Sequence, residues 1–395
     1  MDDEHDEVGA IDSDESTAPF RSQLLDLLKS APAGRIAKLP DADHGLAEME
    51  PFPFLAVVGQ QEMKLALMLS LINPQVGGVL LIGPRGTAKT TAVRSLTDLL
   101  PNVRRSLCVY GCTEELVEVE GMTAVCEECA QKYGYGQPLS VEDKVRLLEL
   151  PLNARLEDVV GGINERVALE QQRVRLERGI LGHADNNILY IDEVNLLDDA
   201  ITDAILDAAA QGHYTVRRGP LKLTYRARFV LIGSMNPEEG QLRPQLMDRF
   251  GLRAVVRGLD DPELRYQAYE NAMAYWRNPE VFAGAYARDT IALADEIEAA
   301  RRRLSGVTIG QEARALGLAL IQQMQIDSNR AETTLFEAAR AYAAADARDV
   351  VEAEDVQAVA LLALRQRRSE FLQQFFAAQA DEDAAMRAFW QTFST

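Results

Sequence analysis

Between Phe54 and about Leu259, short runs of apolar residues alternate with stretches of helical periodicity. Val79 to Ile82, Ile188 to Ile191 and Phe229 to Gly233 are apolar throughout, which predicts strands covered on both faces in a largely parallel sheet flanked by helices. Each predicted strand ends in polar residues, and a parallel α/β sheet builds its site at the carboxyl ends of its strands. From Asp260 onward the chain is rich in Ala, Leu, Arg and Glu and reads as a second, helical domain. Leu24, Leu25, Leu27 and Leu28 suggest a short amphipathic helix within Phe20 to Leu39, expected to pack on its neighbouring domain. Pro51-Phe52-Pro53 marks the boundary that follows it. Phe371, Phe375 and Phe376, then Phe389 and Trp390, mark a C-terminal helical tail whose aromatics are expected in a core. The resulting division is an acidic tail with a short helix over 1–50, an α/β domain over 51–259, a helical domain over 260–366 and the tail over 367–395.

Composition narrows the function classes. With 395 residues and 47% apolar content the chain can bury two domain cores. The formal net charge is -20, and Asp2, Asp3, Glu4, Asp6, Glu7, Asp12, Asp14 and Glu15 gather part of it into a tail expected to be disordered. The remainder is still acidic, so a phosphate backbone would be repelled and no nucleic-acid partner is expected. No apolar run is long enough for a membrane span and the start is acidic where a signal peptide is basic, so the expected location is cytoplasmic, with no membrane partner.

The chemistry concentrates after the first predicted strand. In Gly83-Pro84-Arg85-Gly86-Thr87-Ala88-Lys89-Thr90, followed by Thr91, glycines let successive backbone N–H groups face a phosphate, with a helix N-terminus behind them. Ala88 stands where such a loop usually has its last glycine. Lys89 would reach the β- and γ-phosphates of ATP, and Thr90 would hold Mg²⁺. The second strand ends in Asp192 and Glu193, paired acids that packing alone does not call for. Asp192 can position Mg²⁺ through its water shell, while Glu193 can polarise an attacking water. Asn236, after the third strand, can bond both that water and the γ-phosphate.

Val57-Val58-Gly59-Gln60, the phosphate loop, Tyr190 to Leu197, and Asn236-Pro237-Glu238-Glu239-Gly240 together resemble the ATPase subunit of magnesium chelatase. The likeness continues through Leu242 to Gly251, and covers about Phe52 to Gln366. It implies an AAA+ nucleotide-binding core followed by a helical lid, acting as a homo-hexameric ring motor whose partner subunits insert metal into a tetrapyrrole. It further implies that Val57, Val58 and Gly59 border the adenine and that the segment around Gly161-Gly162 projects into the ring pore. Arg249 resembles the arginine finger that acts on a neighbour's ATP, and Arg330 the lid sensor arginine, with Arg340 as the competing choice. The alternative is a chelatase-like, MoxR-type remodelling ATPase that acts with a von Willebrand-type domain protein and no tetrapyrrole.

One feature departs from that family's photosynthetic members. Cys108, Cys112, Cys126 and Cys129 are the only cysteines and fall in an insertion at about 106–140. In a reducing compartment such clustering argues for a metal before disulfides. Two short-spaced pairs suit a tetrahedral thiolate Zn²⁺. An iron–sulfur cluster, or ordinary thiols, are the alternatives. None of the four histidines lies in this stretch, and each reads as a surface or core residue.

Overall fold

The computed structural model describes residues 50–108, 110–163, 176–219, 221–240, 242–368 and 370–393. The acidic tail, the helix expected within Phe20 to Leu39, and residues 164–175 of the segment after Gly161-Gly162 lie outside the described residues. In chain order the strands are β1 (Val79–Ile82), β2 (Val103–Ser106), β3 (Ser140–Asp143), β4 (Leu147–Glu149), β5 (Ile188–Ile191), β6 (His213–Arg218), β7 (Leu221–Arg226), β8 (Val230–Met235), β9 (Leu252–Val255), β10 (Thr308–Ile309) and β11 (Val350–Val351).

Five of these form one sheet in the order β4-β5-β8-β1-β9, and every neighbouring pair is parallel. The side-chain period of a strand explains why the apolar runs are unbroken. Val79, Leu81, Ile188, Tyr190 and Ile232 enter one core, and Leu80, Ile82, Leu189, Ile191 and Leu231 enter a second on the opposite face. The first core also takes in Leu67, Leu71, Ala331, Leu335 and Ala338, so the helical half of the chain packs on that side. The third strand begins and ends slightly later than expected from sequence, which places Asn236 directly after it.

Beyond Asp260 the expected helices are present: Pro262–Arg277, Pro279–Arg303, Gln311–Gln323, Arg330–Ala345 and Ala353–Leu364. Asp261 and Asn278 each cap the helix that follows, accepting from the amides of Glu263 and Val281. The two-residue β10–β11 pair is a small strand element that the helical reading missed. The tail is the helix Glu370–Phe393, but Phe389 and Trp390 are not core residues. They are 60% and 61% exposed, because this helix keeps most of its described positions in solvent.

The cysteine-bearing insertion is closed by β2 and β3, which pair antiparallel from Val103↔Asp143 to Ser106↔Ser140. Between them lie the helices Glu114–Glu120 and Glu127–Gly134. Burial pushes the Glu114 carboxyl up, but hydrogen bonds from the Ser140 hydroxyl and the amides of Leu139 and Ser140 outweigh it and hold the group at about 2. Glu114 is therefore an anionic clasp between the first helix and β3.

Candidate functional site

Sheet order brings the sequence motifs together. β8 lies between β1 and β5, with Ile82 level with Met235 and Ile191 level with Gly233. Asn236 thus emerges between the phosphate loop and the Asp192-Glu193 pair. The loop is held to β8 by the Gly83 amide, which donates to the Met235 carbonyl at 3.0 Å. Gly83 must lack a side chain, since a Cβ there would stand 2.0 Å from the Val256 carbonyl oxygen. At the other end of the loop Ala88 adopts φ 63° and ψ 18°, a left-handed conformation that opposes an L side chain.

Lys89 is buried and donates to the carbonyls of Gly83 and Pro84, both at 2.7 Å. Desolvation lowers its ammonium pKa, and the charges of Asp192, Glu193 and Glu239 oppose that shift. Thr90 and Asp192 meet at one hydroxyl. Tyr190 Oη lies 3.1 Å from Thr90 Oγ1 and donates to Asp192 Oδ1 at 2.9 Å. Burial pushes the Tyr190 phenol well up, so it stays a donor. Ser234 also donates to Asp192, and its Oγ accepts the Glu193 amide at 3.0 Å. Glu193 itself has φ 55°, a strained left-handed conformation two residues after the strand's last residue, Ile191. Its carboxylate accepts from Arg85 Nη2 at 2.8 Å, and the same guanidinium reaches Glu239 at 2.6 Å.

Tyr190 and Ser234 were not singled out by the sequence reading. Tyr190 carried a usable signal, because two residues before Asp192 in a strand is the same face. Ser234 carried none, since a serine inside an apolar run is unremarked until the register sets it level with Asp192.

The remaining predicted residues spread around this centre. Val57 is buried, and Gly59 is in left-handed conformation with Leu259 packed against it. Beside them opens a cavity of about 480 Å³ lined by Gln60, Gln61, Glu62, Val255, Arg257 and neighbours, at the end of β9. Arg249 closes the helix Pro244–Arg249 and pairs with Asp207 at 2.5 Å and Asp203 at 3.4 Å. Arg330, half exposed, approaches Asp248 at 3.5 Å. Arg340 is engaged elsewhere, donating to the carbonyls of Leu304 and Val307 and to Glu337.

The four cysteines converge as the spacing suggested. All are free thiols, and their sulfurs lie within 4.8 Å of one another.

Two family models match the chain, one described as the MCM P-loop domain over residues 164–262 and one as the AAA lid domain over residues 315–388. The chain is similar to the chloroplastic magnesium-chelatase subunit ChlI-2 of Arabidopsis thaliana, with 43% identity over 80% of this chain and 75% of the relative. It is also similar to a magnesium-chelatase subunit ChlI homolog of Methanocaldococcus jannaschii, with 40% identity over 81% of this chain and 87% of that one. Among solved structures it resembles a chain from the complex between subunits BchI and BchD of magnesium chelatase, at 35% identity, 82% and 99% coverage and a TM-score of 0.47.

Proposed function

The chain belongs to the magnesium-chelatase ATPase-subunit family of AAA+ proteins, and from that premise we propose that it is the ATP-hydrolysing motor of a chelatase-type complex. It works as a homo-hexameric ring in the cytoplasm, and partner subunits carry out metal insertion into a tetrapyrrole. The observation that carries the reading is the Tyr190 hydroxyl joining Thr90, which follows Lys89 in the chain, to Asp192, which precedes Glu193.

Thr90 and Asp192 are the hard oxygen donors that suit Mg²⁺, and they stand at the two ends of one hydroxyl bridge. Bound Mg²⁺ supplies charge neutralisation to the β- and γ-phosphate oxygens. Lys89 binds the same oxygens, while Asn236 orients the attacking water and Glu193 accepts its proton. Val57, Val58 and Gly59 border the adenine. Arg249 acts on the ATP of the next subunit, and Arg330 reads the nucleotide within its own. Zn²⁺ at Cys108, Cys112, Cys126 and Cys129 is structural and takes no part in hydrolysis.

The relatives are named as magnesium-chelatase subunits, which supports chelation over remodelling with a von Willebrand-type partner. Glu193→Gln is expected to bind ATP and assemble normally while turnover falls about 10²- to 10⁴-fold. Lys89→Ala is expected to lose ATP binding. Turnover in Glu193→Gln equal to wild type would remove Glu193 from the mechanism. Reconstitution with chelatase partner subunits then tests the wider reading, and ATP-dependent metal insertion into a porphyrin is the expected result. Turnover without any insertion would favour the remodelling alternative.

A further inference from the structure

The insertion that carries the cysteines has little core of its own. Its buried apolar residues are Cys112, Val117, Val125, Cys129 and Leu139. That is too small a cluster to order a segment of this length, and short metal-free domains of such composition need a cross-link. No disulfide supplies one.

Sulfur geometry discriminates between the possible cross-links. A tetrahedral ion with metal–sulfur bonds of about 2.3 Å sets its sulfurs about 3.8 Å apart. Cys108 Sγ and Cys126 Sγ are 3.7 Å apart, and no pair among the four exceeds 4.8 Å. An iron–sulfur cluster interposes several iron and sulfide atoms between its thiolates and needs them spread well beyond this. Two backbone amides already face the sulfurs, Tyr110 N–H to Cys108 at 3.4 Å and Cys126 N–H to Cys112 at 3.3 Å. These contacts help hold both sulfurs in place within the cluster.

The first cysteine turn also touches the core. Arg178 Nη2 donates to the Cys108 carbonyl at 3.3 Å, the same oxygen that accepts the Gly111 amide at 3.0 Å. Its guanidinium packs against Gly111, where a Cβ would stand 2.4 Å from Nη1. Gly111 has φ +79°, so the turn needs glycine for both its conformation and this contact. Arg178 itself belongs to the base of the segment from Gly161 to Gly179. That base is fastened by the Ile163↔Leu176 bridge and the Glu177 amide bond to the Gly162 carbonyl at 2.8 Å.

We propose that the four cysteines hold one mononuclear tetrahedral Zn²⁺, and that this ion stiffens the base of the 161–179 segment through the Arg178 contact with the Cys108 turn. The coupling rests on the reading that these thiols take a metal, and neither part rests on the chelatase reading. Zn²⁺ is the ion of choice because four thiolates with no open position form a closed structural site. Binding only the folded insertion, it would add its binding free energy to that fold.

The test uses the full chain purified under reducing conditions. Elemental analysis is expected to give one zinc per chain without acid-labile sulfide. Removing the metal from wild type with a chelator is expected to quicken amide exchange over 103–143, and on the order of tenfold at 161–163 and 176–179, as local opening becomes easier. Residues 79–99 should not respond. Arg178→Ala is expected to keep its zinc while the 161–179 base exchanges fast whether or not metal is present. Iron with matching sulfide, or no metal in metal-replete medium, would overturn the site. An unchanged exchange rate at the base after metal removal would overturn the coupling and leave both the metal and the ATPase reading standing.

Discussion

Among the described residues Asp248 is the one carboxylate paired with two fully buried guanidinium groups, so its replacement by asparagine is a sharp test of how the helical half is fixed to the sheet. Arg367 donates to Asp248 Oδ1 at 2.7 Å, to the carbonyls of Ala363 and Gly251 at 2.6 and 2.9 Å, and to Thr334. Arg253 donates to the carbonyls of Arg365 and Met247 and lies 3.8 Å from the same Asp248 oxygen. Burial, reinforced by the charge of Arg367, pushes Arg253 down to about 9, and Asp248 opposes that shift. Asparagine keeps the size and one acceptor but removes the one opposing charge that the described residues supply. Breaking a buried pair by neutralising one partner costs about 3–5 kcal/mol. The retained acceptor puts Asp248→Asn at the lower end, about 3 kcal/mol. For a unit of roughly 350 residues that corresponds to a fall in Tm of about 4 °C. Calorimetry and urea unfolding should be run without nucleotide, because ligand binding adds its own stabilisation. Arg330→Ala is the control, since Arg330 is 53% exposed at 3.5 Å from Asp248 and its pair is worth under about 1 kcal/mol. A loss in Asp248→Asn no larger than in that control would refute the argument that the buried charges depend on Asp248.

Two further outcomes concern the nucleotide site. Ala88→Gly should relieve about 1 kcal/mol of left-handed backbone strain and raise the urea midpoint, and an unchanged or lower midpoint counts against that strain. Arg249→Ala should abolish hydrolysis while leaving ATP binding intact, and mixing it with Lys89→Ala subunits should restore some activity where an intact Lys89 site meets an intact Arg249. No recovery in rings shown to be mixed counts against action across the subunit boundary.

Most of the candidate site's geometry was legible because the residues singled out sit where strands end. The runs at 79–82 and 188–191 coincide with β1 and β5, and their following residues form the loop and the acid pair. What the pattern could not give was lateral order. β4 and β9 are short strands whose neighbours, and not their own residues, make them part of the sheet. The same limit hid Ser234, whose role depends on register with Asp192. It also hid Asp248 and Arg367, which are separated by more than a hundred residues and look like ordinary surface charges in sequence. The exposed Phe389 and Trp390 mark the opposite failure, since aromatic content alone does not fix burial.

Each side chain assigned to phosphate or water already has a partner within the chain, and the partners differ in how readily they are exchanged. Lys89 bonds two loop carbonyls, so binding a phosphate substitutes one set of acceptors for another and gains mainly from charge. Glu193 is tied to Arg85, whose side chain is 70% exposed, and an ion pair so open to water contributes little. A phosphate beside the loop competes directly for that guanidinium and would release the Glu193 carboxylate for water. Arg249 is held more firmly, only 27% exposed and flanked by Asp203 and Asp207. Drawing it away takes a multiply charged group presented from outside the chain, which a neighbouring subunit's nucleotide would be. On this reading ATP binding alone frees the base, whereas transition-state stabilisation waits on the ring, and the two steps separate in Arg249→Ala.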